Sequence, residues 1–134
     1  MSGTNYIENA LLDHLVGNAT YTGGVIHCAL ATAVADPEAG TFTEVSNSGT
    51  AYARQQVPAS SFASASSGSV TTSANIEFPV ATAGYGTVTH LVLTDSASYG
   101  GGNVILIQQL TAPKVVDTDD QFVVNSGNLT ISLD

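Results

Sequence analysis

Charge is what this 134-residue sequence has least of: 10% of its residues are Asp, Glu, Lys or Arg, against roughly a quarter in an ordinary soluble domain. The shortage is one-sided, because eleven acids face two basic residues, Arg54 and Lys114, for a formal net charge of -9. A surface so poor in cations repels phosphate backbones and anionic lipid, which argues against nucleic acid and membrane surfaces as partners. Tryptophan is absent and Cys28 is the sole cysteine, so no intramolecular disulfide can form. Within the apolar run Val25-Ile26-His27-Cys28-Ala29-Leu30, Cys28 reads as a small buried hydrophobe. The longest aliphatic run, Val104-Ile105-Leu106-Ile107, is far short of the ~18 residues a membrane helix needs. No basic region followed by an apolar one marks a secretory leader at the N-terminus, which fits assembly in a host cytoplasm.

Catalytic signatures are missing too. There is no phosphate-binding glycine loop, no zinc spacing of Cys and His, and no Gly-x-Ser-x-Gly turn. His14, His27 and His90 lie far apart in the chain, and a triad picked from so many serines is a coincidence of composition. The expectation is a protein that is not an enzyme and needs no cofactor.

What the sequence has in quantity is Thr (16), Ser (14) and Gly (13), the residues of short strands and tight turns. The length is close to the commonest size of one domain, so residues 1–134 are expected to form a single unit. One helix is expected, over about residues 5–16, because Ile7, Ala10, Leu11, His14 and Leu15 recur on one helical face. Asn5 and Glu8 are placed as its N-terminal cap pair, and Gly17 as its terminator.

Beyond Gly17 the period becomes strand-like. Strands are predicted over Val25–Ala33, Thr41–Val45, Tyr52–Val57, Val70–Phe78, Thr87–Thr94, Val104–Leu110, Lys114–Val116, Gln121–Val124 and Leu129–Leu133. Both faces of Val25–Ala33 are largely apolar, so that strand is expected to be covered on both sides. Asp36-Pro37-Glu38-Ala39-Gly40 reads as a turn, and Ala59 to Ser69, with six serines, as an exposed loop or edge segment. Ser46 to Ala51 and Ser96 to Asn103 are too short and too rich in Gly and Ser to hold crossover helices. The fold class is therefore all-β: an antiparallel β-sandwich, jelly-roll-like, with one short N-terminal helix.

Three places deserve a chemical reading. Asp117, Asp119 and Asp120 offer hard oxygen ligands of the kind calcium takes, but they also suit a solvated turn whose carboxylates bond locally, and a calcium loop needs more ligands and a glycine at its bend. Gly84-Tyr85-Gly86 reads as a turn with an aromatic plug, or else as a contact surface. Arg54 is the third. A chain with so few charges has reason to partner a lone arginine, so a buried structural ion pair is expected between Arg54 and Glu44 or Glu77, both in predicted strands.

Several segments together resemble a family of small phage virion proteins described as tail-fibre-like or head-decoration proteins. They are Leu11-Leu12-Asp13-His14-Leu15, Asn18-Ala19-Thr20-Tyr21-Thr22, Thr43-Glu44-Val45, Ala51-Tyr52-Ala53-Arg54-Gln55, and Ile76-Glu77-Phe78-Pro79 through Tyr85-Gly86-Thr87-Val88-Thr89-His90. Leu110-Thr111-Ala112-Pro113-Lys114, Asp120-Gln121-Phe122 and Leu129 to Asp134 complete the set. His27, Cys28 and the serine-rich stretch depart from the pattern. The resemblance implies a β-rich virion component without a catalytic site. Because the chain lacks heptads or β-helical periods that would build a shaft, a capsid decoration (cement) protein on the capsid exterior is expected ahead of a tail fibre or tail-associated protein. Its partners would be the major capsid protein or other virion proteins, and further copies of itself, with a homotrimer the simplest assembly at a capsid junction. A carbohydrate-binding module would want exposed aromatics, and here the five tyrosines are scattered.

Overall fold

Among the described residues the chain forms ten strands: β1 Ser2–Gly3, β2 Ile26–Asp36, β3 Thr41–Glu44, β4 Gln55–Val57, β5 Ser69–Thr71, β6 Ile76–Glu77, β7 Gly86–Thr94, β8 Val104–Val116, β9 Val123–Val124 and β10 Thr130–Ser132, with the helix α1 at Asn5–Val16. The computed structural model describes residues 2–133, so Met1 and Asp134, the two ends of the expected 1–134 unit, lie outside the described residues. One sheet runs β1-β8-β7-β2-β3, with β4 also paired to β2. Two antiparallel ribbons, β5 with β10 and β6 with β9, complete the strands. The protein is all-β, antiparallel and sandwich-like, with one short helix.

Side-chain alternation divides the core in two. Cys28 and Leu30 of β2 and Val88, Leu91 and Leu93 of β7 face inward onto Val57, Ile76, Phe78, Val124 and Leu129, all buried. The intervening Ala29 and Ala31 face the other way yet are equally buried, in a smaller cluster with Val92, Ile107, Val34 and Phe42. Register shifts between Ala31 and Ala33 and between Val34 and Asp36 bend the β2–β3 hairpin. Its tip lies against the start of α1, where the Asn5 N–H donates to the Glu38 carbonyl at 2.9 Å. Folded in this way, the hairpin lays Val34 and Phe42 over the alanines, and small side chains there allow the close approach.

Several predicted strands change their bounds. Val70–Phe78 is not one strand but two, β5 and β6, split between the two ribbons. Val104–Leu110 and Lys114–Val116 are instead one strand, β8. It bulges between Gln109, opposite His90, and Lys114, opposite Val88, and Pro113 sits within the bulge, where no ladder donor is required. Tyr52 to Arg54 precede the short β4 and run as irregular chain. The expected turn at residues 36–40 is present, with Asp36 Oδ1 accepting the N–H groups of Glu38 and Ala39.

The helix ends at Gly17 in the left-handed region, at φ 82. Its N-cap is Thr4 and not Asn5, whose N–H is taken by Glu38. The Thr4 hydroxyl donates to the Val104 carbonyl at 2.6 Å and accepts from the Ile7 N–H at 3.5 Å. The apolar face read at Ile7, Ala10, Leu11, His14 and Leu15 is mostly uncovered. Ile7 is buried, but Leu11 is 37% exposed and Leu15 78%. The helix is pinned through its first turn and leaves the sheet after it, so its later apolar residues face solvent.

Gly40 closes the hairpin tip at φ +72, and a Cβ there would stand 2.8 Å from Val104 Cβ. Gly40→Ala is expected to lower stability by roughly 1–3 kcal/mol through strain and overpacking, as measured by urea denaturation.

Candidate functional site

Arg54 enters just before β4, and its side chain is 1% exposed. Its Nε and Nη2 donate to Glu44 Oε2 and Oε1, each at 2.9 Å, a bidentate fork. Nη1 turns to the β7–β8 connection, donating to Thr94 Oγ1 at 3.2 Å and to the carbonyls of Ser96 and Gly101 at 2.9 Å each. The guanidinium thus joins three separate stretches of chain. Burial alone would lower its pKa, but the contacts with Glu44 outweigh burial and raise it.

Glu44 stands at the end of β3, 5% exposed in its side chain. Besides Arg54 it accepts the Tyr52 hydroxyl at 2.7 Å and the Gly100 N–H at 2.9 Å. Burial pushes its pKa up, while hydrogen bonds from Arg54, Tyr52 and Gly100 pull it down, and the net shift is downward. The Tyr52 phenol is held protonated by burial first and by the neighbouring carboxylate second. Its oxygen also accepts the Leu30 N–H at 3.1 Å, which carries the network into the centre of β2. The Tyr52 ring stacks with Phe78 and meets Tyr85 and Tyr99 edge-on, at centroid distances of 5.7–6.2 Å. Tyr85 is the buried plug of the Gly84-Tyr85-Gly86 turn, its hydroxyl donating to the Pro79 carbonyl at 2.7 Å.

Of the two acids proposed for Arg54, the structure brings Glu44 to it, while Glu77 lies exposed on β6. No pattern in the sequence marks Thr94 or the Gly100-Gly101 backbone as members of the site. The one local signal was Tyr52 two residues before Arg54, which in extended chain puts both side chains on one face.

The remaining candidates sit apart. Cys28 is fully buried, and burial pushes its thiol up to about 12. The His14 Nδ1 accepts the Tyr21 N–H at 3.2 Å, the His90 Nδ1 lies 2.7 Å from Thr89 Oγ1, and His27 pairs in register with Thr94. Asp120 Oδ2 accepts the Asp117 N–H at 3.0 Å and the Asp119 N–H donates to the Ala81 carbonyl, a self-bonded turn. Among the described residues no group of three or more His, Cys, Asp or Glu is placed to hold a metal ion.

Two surface features complete the site's surroundings. The later turns of α1 expose Leu11, Leu12, Leu15 and Val16. At the far end of β8 an open cleft of about 800 Å³ is walled by Leu91, Leu110, Val116, Phe122 and Val124, with Lys114 in its lining. Gln108 also lines it, and its Oε1 is buried without a hydrogen-bond partner.

Two outcomes follow from the ion pair. Lysine cannot reproduce the fork, so Arg54→Lys is expected to cost roughly 1–3 kcal/mol in thermal or chemical denaturation. Because Glu44 titrates lower in the folded chain than its ordinary 4.5, its contribution is complete above that pH and is lost as pH falls through the folded value. Glu44→Gln is therefore expected to be less stable than the parent at pH 7, with the gap narrowing below about pH 4.5, as followed by denaturation over a pH series.

Comparison with curated proteins returns no match. The resemblance in the loop and strand segments is carried instead by a family model that aligns with nearly the whole chain. It matches residues 2–132, and the chain accordingly belongs to the phage virion structural family described as podophage GP4 fiber I protein gp80.

Proposed function

We propose that this chain is a fibre subunit of a phage particle, a compact β unit that acts by binding other virion proteins and further copies of itself, with a homotrimer as its assembled form. The observation that carries this reading is the family match over residues 2–132, under a description that names a fibre protein. The geometry is compatible with it. The ion-pair network is inward and fully engaged, which suits a scaffold, and the exposed leucines of α1 offer an apolar patch of the sort that marks protein contacts. Catalysis has no part in this reading.

Capsid decoration is the second reading, favoured by one specific observation. The chain forms a compact sandwich with no heptad or β-helical period to build a shaft. In that role the partner is the major capsid protein and the location the capsid exterior.

Cryo-electron microscopy of purified virions, with copies per particle counted against the major capsid protein, separates the two. A fibre subunit is expected as projecting density in far fewer copies than the shell protein. Copies in fixed proportion to the shell protein, spread over the capsid, would replace the fibre reading with decoration, and absence from purified particles would overturn both.

A further inference from the structure

We propose that copies of this chain associate head to tail, the leucine face of α1 from one copy seating in the cleft beside β8 of the next. The inference deepens the assembly reading above by naming the two surfaces, and each is a feature the isolated chain leaves unused. Leu11, Leu12, Leu15 and Val16 are 37%, 59%, 78% and 66% exposed. Residues three and four apart share a helical face, so these four make one apolar ridge about two turns long. Such a ridge is costly in water and is the usual form of a helix that docks in a groove.

The cleft supplies the complement. Its wall is largely apolar, with Leu91, Leu110, Val116, Phe122 and Val124, and its volume of about 800 Å³ accommodates several side chains. Val115, also in its lining, is 63% exposed. Charge matches as well. Lys114, the cation not engaged at the Arg54 site, lies in the cleft lining, while α1 carries Glu8 and Asp13. Asp120, the acid of the cleft, already accepts the Asp117 N–H. With a net charge of -9 per copy, this is the pairing that sets acids against a cation.

Position in the fold makes the contact heterologous. The helix is anchored at the start of β8, where the Thr4 N–H donates to the Ile105 carbonyl at 3.0 Å, and the cleft lies along residues 108–116 at the other end. A ridge at one end of a molecule and its groove at the other repeat from copy to copy, giving a ring where the rotation between copies closes and a filament where it does not.

Cross-linking of the purified full-length protein tests this. Leu15→Cys and Val115→Cys replace exposed residues, so the fold is undisturbed, and the native Cys28 is fully buried and does not react. Under mild oxidation, an equimolar mixture of the two variants is expected to form a covalent dimer, while neither variant alone does so. Dimers from Leu15→Cys alone would mean helix-to-helix pairing across a two-fold axis, dimers from Val115→Cys alone a cleft-to-cleft contact, and no dimer in any sample no contact between these surfaces. Each of those results overturns the proposal. The assay needs no particle, so its outcome is independent of whether virion imaging places the chain on a fibre or on the shell.

Discussion

Arg54 and Glu44 meet where three stretches of chain converge beside the sheet: the end of β3, the irregular approach to β4, and the Gly- and Ser-rich connection from β7 to β8. Taking two charges out of water is expensive, and an ion pair in that setting is tolerable only when its geometry is good and its remaining donors and acceptors are satisfied. Both conditions hold. The fork is bidentate at 2.9 Å, the other guanidinium nitrogen has three acceptors, and the carboxylate takes two further donors. What the pair contributes in geometry is a fixed link between the three stretches. The Asp95 to Asn103 connection has no apolar core of its own, and Arg54 holds its carbonyls where Asn103, bonded to both oxygens of Asp95, closes its base.

The same scarcity of charge shapes the rest of the molecule. With 10% charged residues, the chain cannot cover its surface with ions, and the outer face of β2 is protected in another way. A bent hairpin folds over Ala29 and Ala31 and makes a second, smaller core. The helix is then left without a floor beyond Ile7, because the hairpin tip occupies the ground next to Thr4 and Asn5. That arrangement leaves an apolar ridge in water, and a largely apolar cleft opens at the opposite end of β8. Exposed apolar surfaces of this kind mark protein contacts.

Much of this was legible in the residues. Strand-like periods gave most of the strands, connections too short for crossover helices gave the antiparallel class, Gly17 gave the helix end, and the double-sided apolar run of β2 gave its burial on both faces. Other features were not legible, for stated physical reasons. The helix period reveals an apolar face but not what covers it, so the stripe through Leu11 and Leu15 read as core. Residues 111–113 fall between two predicted strands, whereas a bulge that tolerates Pro113 lets β8 run through them. The single run Val70–Phe78 belongs to two ribbons because tertiary pairing, not propensity, chose where it bends. At the ion pair, the scarcity of cations pointed to a partnered Arg54 and strand placement narrowed the acids to two. The backbone acceptors of Ser96 and Gly101 lie more than forty residues away in a loop, and no pattern in the sequence marks them.

The central claim, that one buried ion pair holds these three stretches in place, is tested most directly by amide hydrogen exchange in the parent protein and in Arg54→Met. Gly100, whose N–H bonds Glu44, and Leu30, whose N–H bonds Tyr52, are the reporters. With the pair removed, both amides should exchange faster, together with those of the Asp95 to Asn103 connection, and by a larger factor than amides in the β5–β10 ribbon. Unchanged protection at Gly100 and Leu30 would contradict the account, because it would mean that the loop and the centre of β2 are held without Arg54.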